Sequence, residues 1–208
     1  MRAMSSVALA LAAFSPTGPA LAQYLWLQPA ATGAEARYGE LRQPAAELPP
    51  LLELRASGTA RQAPSPQLRA DRIDIDATPG TDLRVAVAEP GRQAGQHVLT
   101  YRQARLGRQE TSAVNDLELV PTEAGGNTFR LLWKGTTVSA AQVQVDTSAG
   151  WHRTLRPAAD GTVTLPTPFP GLYLMEVSAR VNGGSVTLDG RKYTEVRHSA
   201  TLSFEVQP

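Results

Sequence analysis

The sequence predicts an all-β chain, and three observations carry that expectation. Short apolar runs alternate with polar residues at the period of a pleated strand. Gly, Pro and Asp fall where those runs stop. No helix of convincing length and no fixed-period repeat is evident between them. The pattern is densest from Phe129 to Val206.

Residues 1–22 read as a cleavable secretory signal. Arg2 gives a positive start, Val7–Phe14 a short apolar stretch, and Pro16, Gly18 and Pro19 a break before Ala20-Leu-Ala22. Small residues at Ala20 and Ala22 fit a small-x-small cleavage site, which places the mature start at Gln23 and the protein in the periplasm. The apolar stretch is far short of the ~20 residues that span a bilayer, so no membrane insertion of the mature chain is expected.

From Gln23 the elements are justified in turn. Tyr24–Leu27 is a first strand stopped by Pro29, and Ala34–Glu40 a second. Pro44–Pro50 and Ala60–Pro66 read as loops, with Leu51–Leu54 between them too short to assign. Asp71–Asp76 alternates charged and apolar residues, placing Ile73 and Ile75 on one face. With the Thr78–Thr81 turn and Leu83–Ala88 it predicts a hairpin. Glu89–Gln96 reads as a break before the His97–Arg102 strand, and the polar residues Arg102–Asp116 as a connector. The boundary near residue 112 divides a β domain over 23–112 from a second β-sandwich over 113–208. The second domain takes Asp116–Pro121, Phe129–Trp133, Val143–Val145, Thr162–Leu165, Leu172–Val177 and Ala200–Val206 as strands.

Composition narrows the function. The chain carries 20 Lys and Arg against 19 Asp and Glu, and taking Arg2 away with the leader balances them. A nucleic-acid binder needs a basic excess, so none is expected as a partner. With no Cys there is neither a disulfide framework nor a thiolate metal site.

Catalysis finds no constellation. There is no Gly-x-Ser-x-Gly elbow, and Ser199 beside His198 points to the opposite strand face. Asp74 and Asp76 share a face about 7 Å apart, but nothing nearby suggests a cleft, so they read as a solvated strand face and no enzyme is expected. The histidines are His97, His152 and His198, none in a His-x-His or His-Glu-x-x-His pattern. Trp26, Trp133 and Trp151, with Tyr101, Tyr173 and Tyr193, are candidate ligand-platform aromatics. Trp133 and Tyr173 read as core. Trp151, between Gly150 and His152, is the best exposed contact. Val181–Ser185, with Gly183-Gly184, reads as a flexible hairpin loop.

One ordered series is more specific. Asp116–Pro121, Phe129–Gly135, Ala141–Val145, Gly150-Trp151, Ala159–Leu165, Pro170–Leu174 and His198–Phe204 occur in that order, and Tyr24–Leu27 opens the mature chain. Together they resemble an uncharacterised family of Gram-negative periplasmic proteins associated with nickel or cobalt uptake. The resemblance is strong over 116–206 and weak over 40–95. It implies an immunoglobulin-like or transthyretin-like (carboxypeptidase-regulatory-like) second sandwich. It also implies a non-catalytic role in transition-metal or metal-chelate uptake, beside an outer- or inner-membrane uptake component. Within that context the metal candidates are His97, His198 and Glu195, and nickel, cobalt or copper would suit such imidazole donors. One residue departs from the family, whose mature chains commonly begin with His where this chain has Gln23. The alternative is an envelope protein-interaction scaffold that binds no metal.

Overall fold

Alternation along the strand Glu195–Val206 sets the architecture, because both of its faces are covered. The computed structural model describes residues 9–10, 23–59, 63–78, 80–140, 142–181 and 184–208. Most of the leader, and Asn182 and Gly183 of the Gly-rich loop, lie outside the described residues; Leu9–Ala10 pairs with Arg180 and Val181. Among the described residues every regular element is a strand.

One large sheet runs through the chain in the order His152–Leu155, Val143–Thr147, Gly171–Val181, Glu195–Val206, Gln96–Leu106, Leu83–Gln93, Leu52–Gly58. Neighbours are antiparallel except at its centre. There Glu195–Val206 runs parallel to Gln96–Leu106, with Glu195 opposite Val98 and Ser203 opposite Leu106. Strands from both sides of residue 112 therefore share one sheet.

A smaller sheet covers each face. From the first half, Tyr24–Ala30, Gly33–Glu40, Ile73–Asp76 and Ser65–Leu68 form one cover. Their Leu25, Leu27, Ala36, Ile73 and Ile75 pack against Leu83, Val85, Val87 and Ala104 of the large sheet. From the second half, Leu117–Pro121, Thr128–Trp133 and Thr162–Thr164 form the other. Their Leu117, Leu119, Phe129 and Leu131 meet Tyr173, Met175, Ala200, Leu202 and Phe204. Even-numbered residues of the Glu195–Val206 strand thus face the second-half cover, and odd-numbered ones face the first. Thr201 and Ser203 are buried for this reason. Their hydroxyls donate to the carbonyls of Leu25 (2.7 Å) and Leu27 of the strand crossing beneath, so backbone polar groups at the crossing are satisfied.

Several elements depart from the sequence reading. Ile73–Asp76 pairs with Gly33–Ala36 and Ser65–Leu68, not with Leu83–Ala88. The two strands read as a hairpin lie in different sheets and meet face to face across the core; alternation is the same in either arrangement. Leu83–Gln93 continues through the expected break and turns at Ala94-Gly95 into Gln96–Leu106. Pro90 is tolerated because the neighbouring edge strand begins its pairing at Leu52 opposite Ala88, leaving Pro90 on an open edge. Pro29 likewise does not stop the first strand, which reaches Ala30. Leu52–Gly58 is a strand, and Arg102–Leu106 belongs to one rather than to a connector.

Candidate functional site

The residues that join the halves are built around buried charge. Arg84 and Arg105 sit on the face that the second half covers, each between two apolar neighbours in its strand. Glu118 reaches both, accepting from Arg84 Nε at 2.8 Å and Arg105 Nη1 at 2.9 Å. Asp82 takes a second Arg105 bond at 2.6 Å, and Glu110 pairs with Arg84. The remaining carboxylate capacity holds the connector. Asp82 accepts the backbone N–H groups of Gln109 and Glu110, while Glu118 accepts those of Val114 and Asn115. The guanidinium groups in turn donate to the carbonyls of Gly107, Glu110 and Ser112. Gly107 has φ +96°, and a Cβ there would lie 2.1 Å from an Asp82 carboxylate oxygen, so only glycine lets the connector close on this network. In the sequence the signal was a lone charge between apolar neighbours, at Arg84, Arg105 and Glu118.

Beside this network the large sheet is left uncovered, and a cavity of about 530 Å³ opens. Its floor is Ala86, Tyr101, Gln103 and His198, its walls the edge strand Glu53–Ser57 and the connector Val114–Asp116. Ala86 and Ser57 give depth where larger side chains would fill the space. Glu53 stands at a register shift between Leu52 and Arg55 with φ +51°. A non-glycine residue there costs on the order of 1 kcal/mol. Glu53→Gly is therefore expected to raise the unfolding free energy by about 1 kcal/mol, read as a shift of the urea midpoint.

His198 is 5% exposed. Its ring stacks on Tyr101 (5.1 Å between centroids) and lies nearly perpendicular to the Trp133 ring, 4.6 Å between centroids. Gln103 fixes its tautomer. The Gln103 Oε1 accepts the Leu117 N–H at 2.9 Å, so its amide nitrogen faces His198 Nδ1 at 3.0 Å. Nδ1 is then the acceptor, and the ring carries its proton on Nε2. Burial pushes the His198 pKa down to about 4. The unfolded chain, with an ordinary value near 6.5, binds the proton first. Stability is therefore full above about pH 6.5 and falls as pH drops towards 4, by about 3 kcal/mol in all. Urea unfolding across that range should show the slope in the parent and lose it in His198→Phe.

The residues proposed from sequence as metal ligands are not gathered. His97 lies on the same sheet face as His198 but four residues along from Tyr101, the partner of His198, about 13 Å away along the strand. Its ring lies edge-on to Tyr193 (6.2 Å). Glu195 projects from the opposite face, paired with Arg197 at 2.7 Å and Arg180 at 3.2 Å. The Arg197 hydrogen bond holds its carboxyl below the usual range. Among the described residues no three His, Cys, Asp or Glu side chains are grouped to hold a metal ion. Gln23 is anchored instead by Arg102, which donates to its carbonyl at 2.7 Å.

The aromatics divide differently from the sequence reading. Trp151 is half-buried, packing on the second-half core against Phe169 and Tyr173, so it is not the exposed contact. Tyr173 is core, and Trp133 is half-buried beside His198. No family model matches the chain, and a search of the curated proteins finds no match.

Proposed function

We propose that this is a non-catalytic accessory protein of the periplasm that works by binding, an envelope interaction module that needs no metal. The observation that carries the reading is the cavity at His198, set into a body whose halves are joined by a buried ion network. Its lining combines the Tyr101 and His198 rings with amide, hydroxyl, carboxylate and guanidinium groups, the mixture of a site for a polar organic ligand. His198 has its Nδ1 committed to Gln103, and a ring so held is a hydrogen-bond donor rather than a ligand to an ion. We read the halves as two β-sandwiches of the immunoglobulin-like or transthyretin-like kind that share their inner sheet, in keeping with the ordered motifs of the second half.

Metal or metal-chelate uptake is the competing function. It rests on the resemblance and requires His97, His198 and Glu195 to act together, which their separation disfavours. Elemental analysis by mass spectrometry of the protein purified from the periplasm without chelator decides between them. A metal-free protein is expected; stoichiometric nickel, cobalt, copper or zinc would overturn the metal-free reading.

A further inference from the structure

Strand register decides which side chains project into the cavity. Ser57 stands beside Arg84, Arg55 beside Ala86 and Gln103, and Ala88 beside Tyr101 and then His198, so all share one face of the large sheet. The charged and amide groups of that floor are already committed. Arg84 donates to Glu118, Glu110 and the Ser112 carbonyl, and its side chain is only 1% exposed. Gln103 spends both ends of its amide on Leu117 and His198. Three uncharged groups remain: the hydroxyls of Ser57 and Tyr101, and the Nε2–H of His198. None of them bonds to a described residue, and none is among the unpartnered polar atoms sealed from solvent. Each is therefore open on the cavity lining.

The charges at the rim cancel in pairs. Arg55 lies 3.7 Å from Glu53 and Lys134 3.9 Å from Asp116, all four exposed, so these contacts are loose enough to open towards a ligand. Burial raises the Tyr101 pKa, Glu53 and Asp116 adding to the rise and Arg55 opposing it, so all three charges act on its hydroxyl. A bound anion would find no uncommitted cation on the floor, and a bound cation no carboxylate there. Hydroxyls that both donate and accept are matched by other hydroxyls. Carboxylate and guanidinium forks at the rim bridge adjacent pairs of them. An uncharged polyhydroxylated molecule meets every one of these demands. The stacked Tyr101 and His198 rings give apolar surface for its C–H groups. Ser57 and Tyr101 project from positions four residues apart along the sheet, about 13 Å, which exceeds one sugar ring.

We propose that the cavity binds a neutral oligosaccharide of about disaccharide size. Ser57, Tyr101 and the His198 Nε2–H hold its hydroxyls at the floor, and Glu53, Arg55 and Asp116 hold those at the rim. A cavity of about 530 Å³ has room for it. This rests on the reading of the cavity as the binding site.

The test is nuclear magnetic resonance on the labelled protein, following the His198 and Tyr101 rings during titration with maltose, cellobiose or N,N′-diacetylchitobiose. Glucose and the anionic cellobionate serve as controls. At least one disaccharide should shift both signals saturably, with glucose about tenfold weaker and no change when salt is raised. Tyr101→Phe, which keeps the ring, and Ser57→Ala should each weaken that disaccharide about tenfold, the loss of one polar contact. Affinity equal in the parent and both variants would overturn the placement of the sugar in this cavity. Tighter binding of cellobionate, or a steep fall with salt, would overturn the neutral ligand. Silence towards all three disaccharides, with a periplasmic small-molecule extract shifting the same signals, would overturn the saccharide class while the binding site stands. Silence towards the extract too would remove the site as well.

Discussion

Glu118→Ala is expected to destabilise the protein by about 3–5 kcal/mol, the range for breaking a buried ion pair by deleting one partner. Two guanidinium groups would lose their shared carboxylate, with only Asp82, Glu110 and backbone carbonyls left to them. The N–H groups of Val114 and Asn115 would lose their acceptor in the same step. Urea unfolding followed separately by tryptophan fluorescence and far-ultraviolet circular dichroism checks the size and the cooperativity. A single transition with a lowered midpoint is the expected outcome, because the network binds strands of both halves. A loss below 1 kcal/mol would show that the charges are compensated elsewhere. Removing the buried charges together, as Arg84→Met, Arg105→Leu, Glu118→Leu and Asp82→Asn, should recover much of the loss, since no buried charge is then left without its partner.

Trp26→Ala should cost a further 3–5 kcal/mol, the usual penalty for emptying a buried indole site. Trp26 is 1% exposed and packs with Tyr24 and Leu174 between the first-half cover and the large sheet. Its indole N–H has no hydrogen-bond partner among the described residues, so part of the ring's apolar contribution is offset. Trp26→Phe removes that unpaired donor along with some volume and should cost less than about 1.5 kcal/mol. Thermal melts of the two variants against the parent read the contrast. Equal losses would mean that the N–H is satisfied in solution.

The all-β class was legible because strand alternation is a local property, visible at Tyr24–Leu27, Phe129–Trp133 and Leu172–Val177 alike. Pairing partners were not. Ile73 and Ile75 look the same in sequence whether their strand pairs with Leu83–Ala88 or stacks on it, since burial of one face is all that alternation reports. The parallel match of Glu195–Val206 with Gln96–Leu106 joins segments roughly a hundred residues apart, and neither carries a local mark of the other. His198 was singled out as a histidine, and its neighbourhood was hidden for the same reason. Tyr101 and Gln103 come from one strand of the first half, Trp133 from the second, and Asn115 from the connector. The ion network left a clearer trace: charged residues among Leu, Val and Ala at Arg84, Arg105 and Glu118 predict partners, though not which ones.

The parallel seam at the centre of the large sheet also governs the order in which the protein can form. When Gln96–Leu106 leaves the synthetic machinery, the strand that will occupy its open side is still unmade. Until Glu195–Val206 arrives, the first half carries a bare strand edge, and the carbonyls of Leu25 and Leu27 wait for hydroxyls not yet translated. Sequential folding of two independent beads is therefore barred by topology. Collapse must be late and concerted, with a rate limited by closing a very long loop.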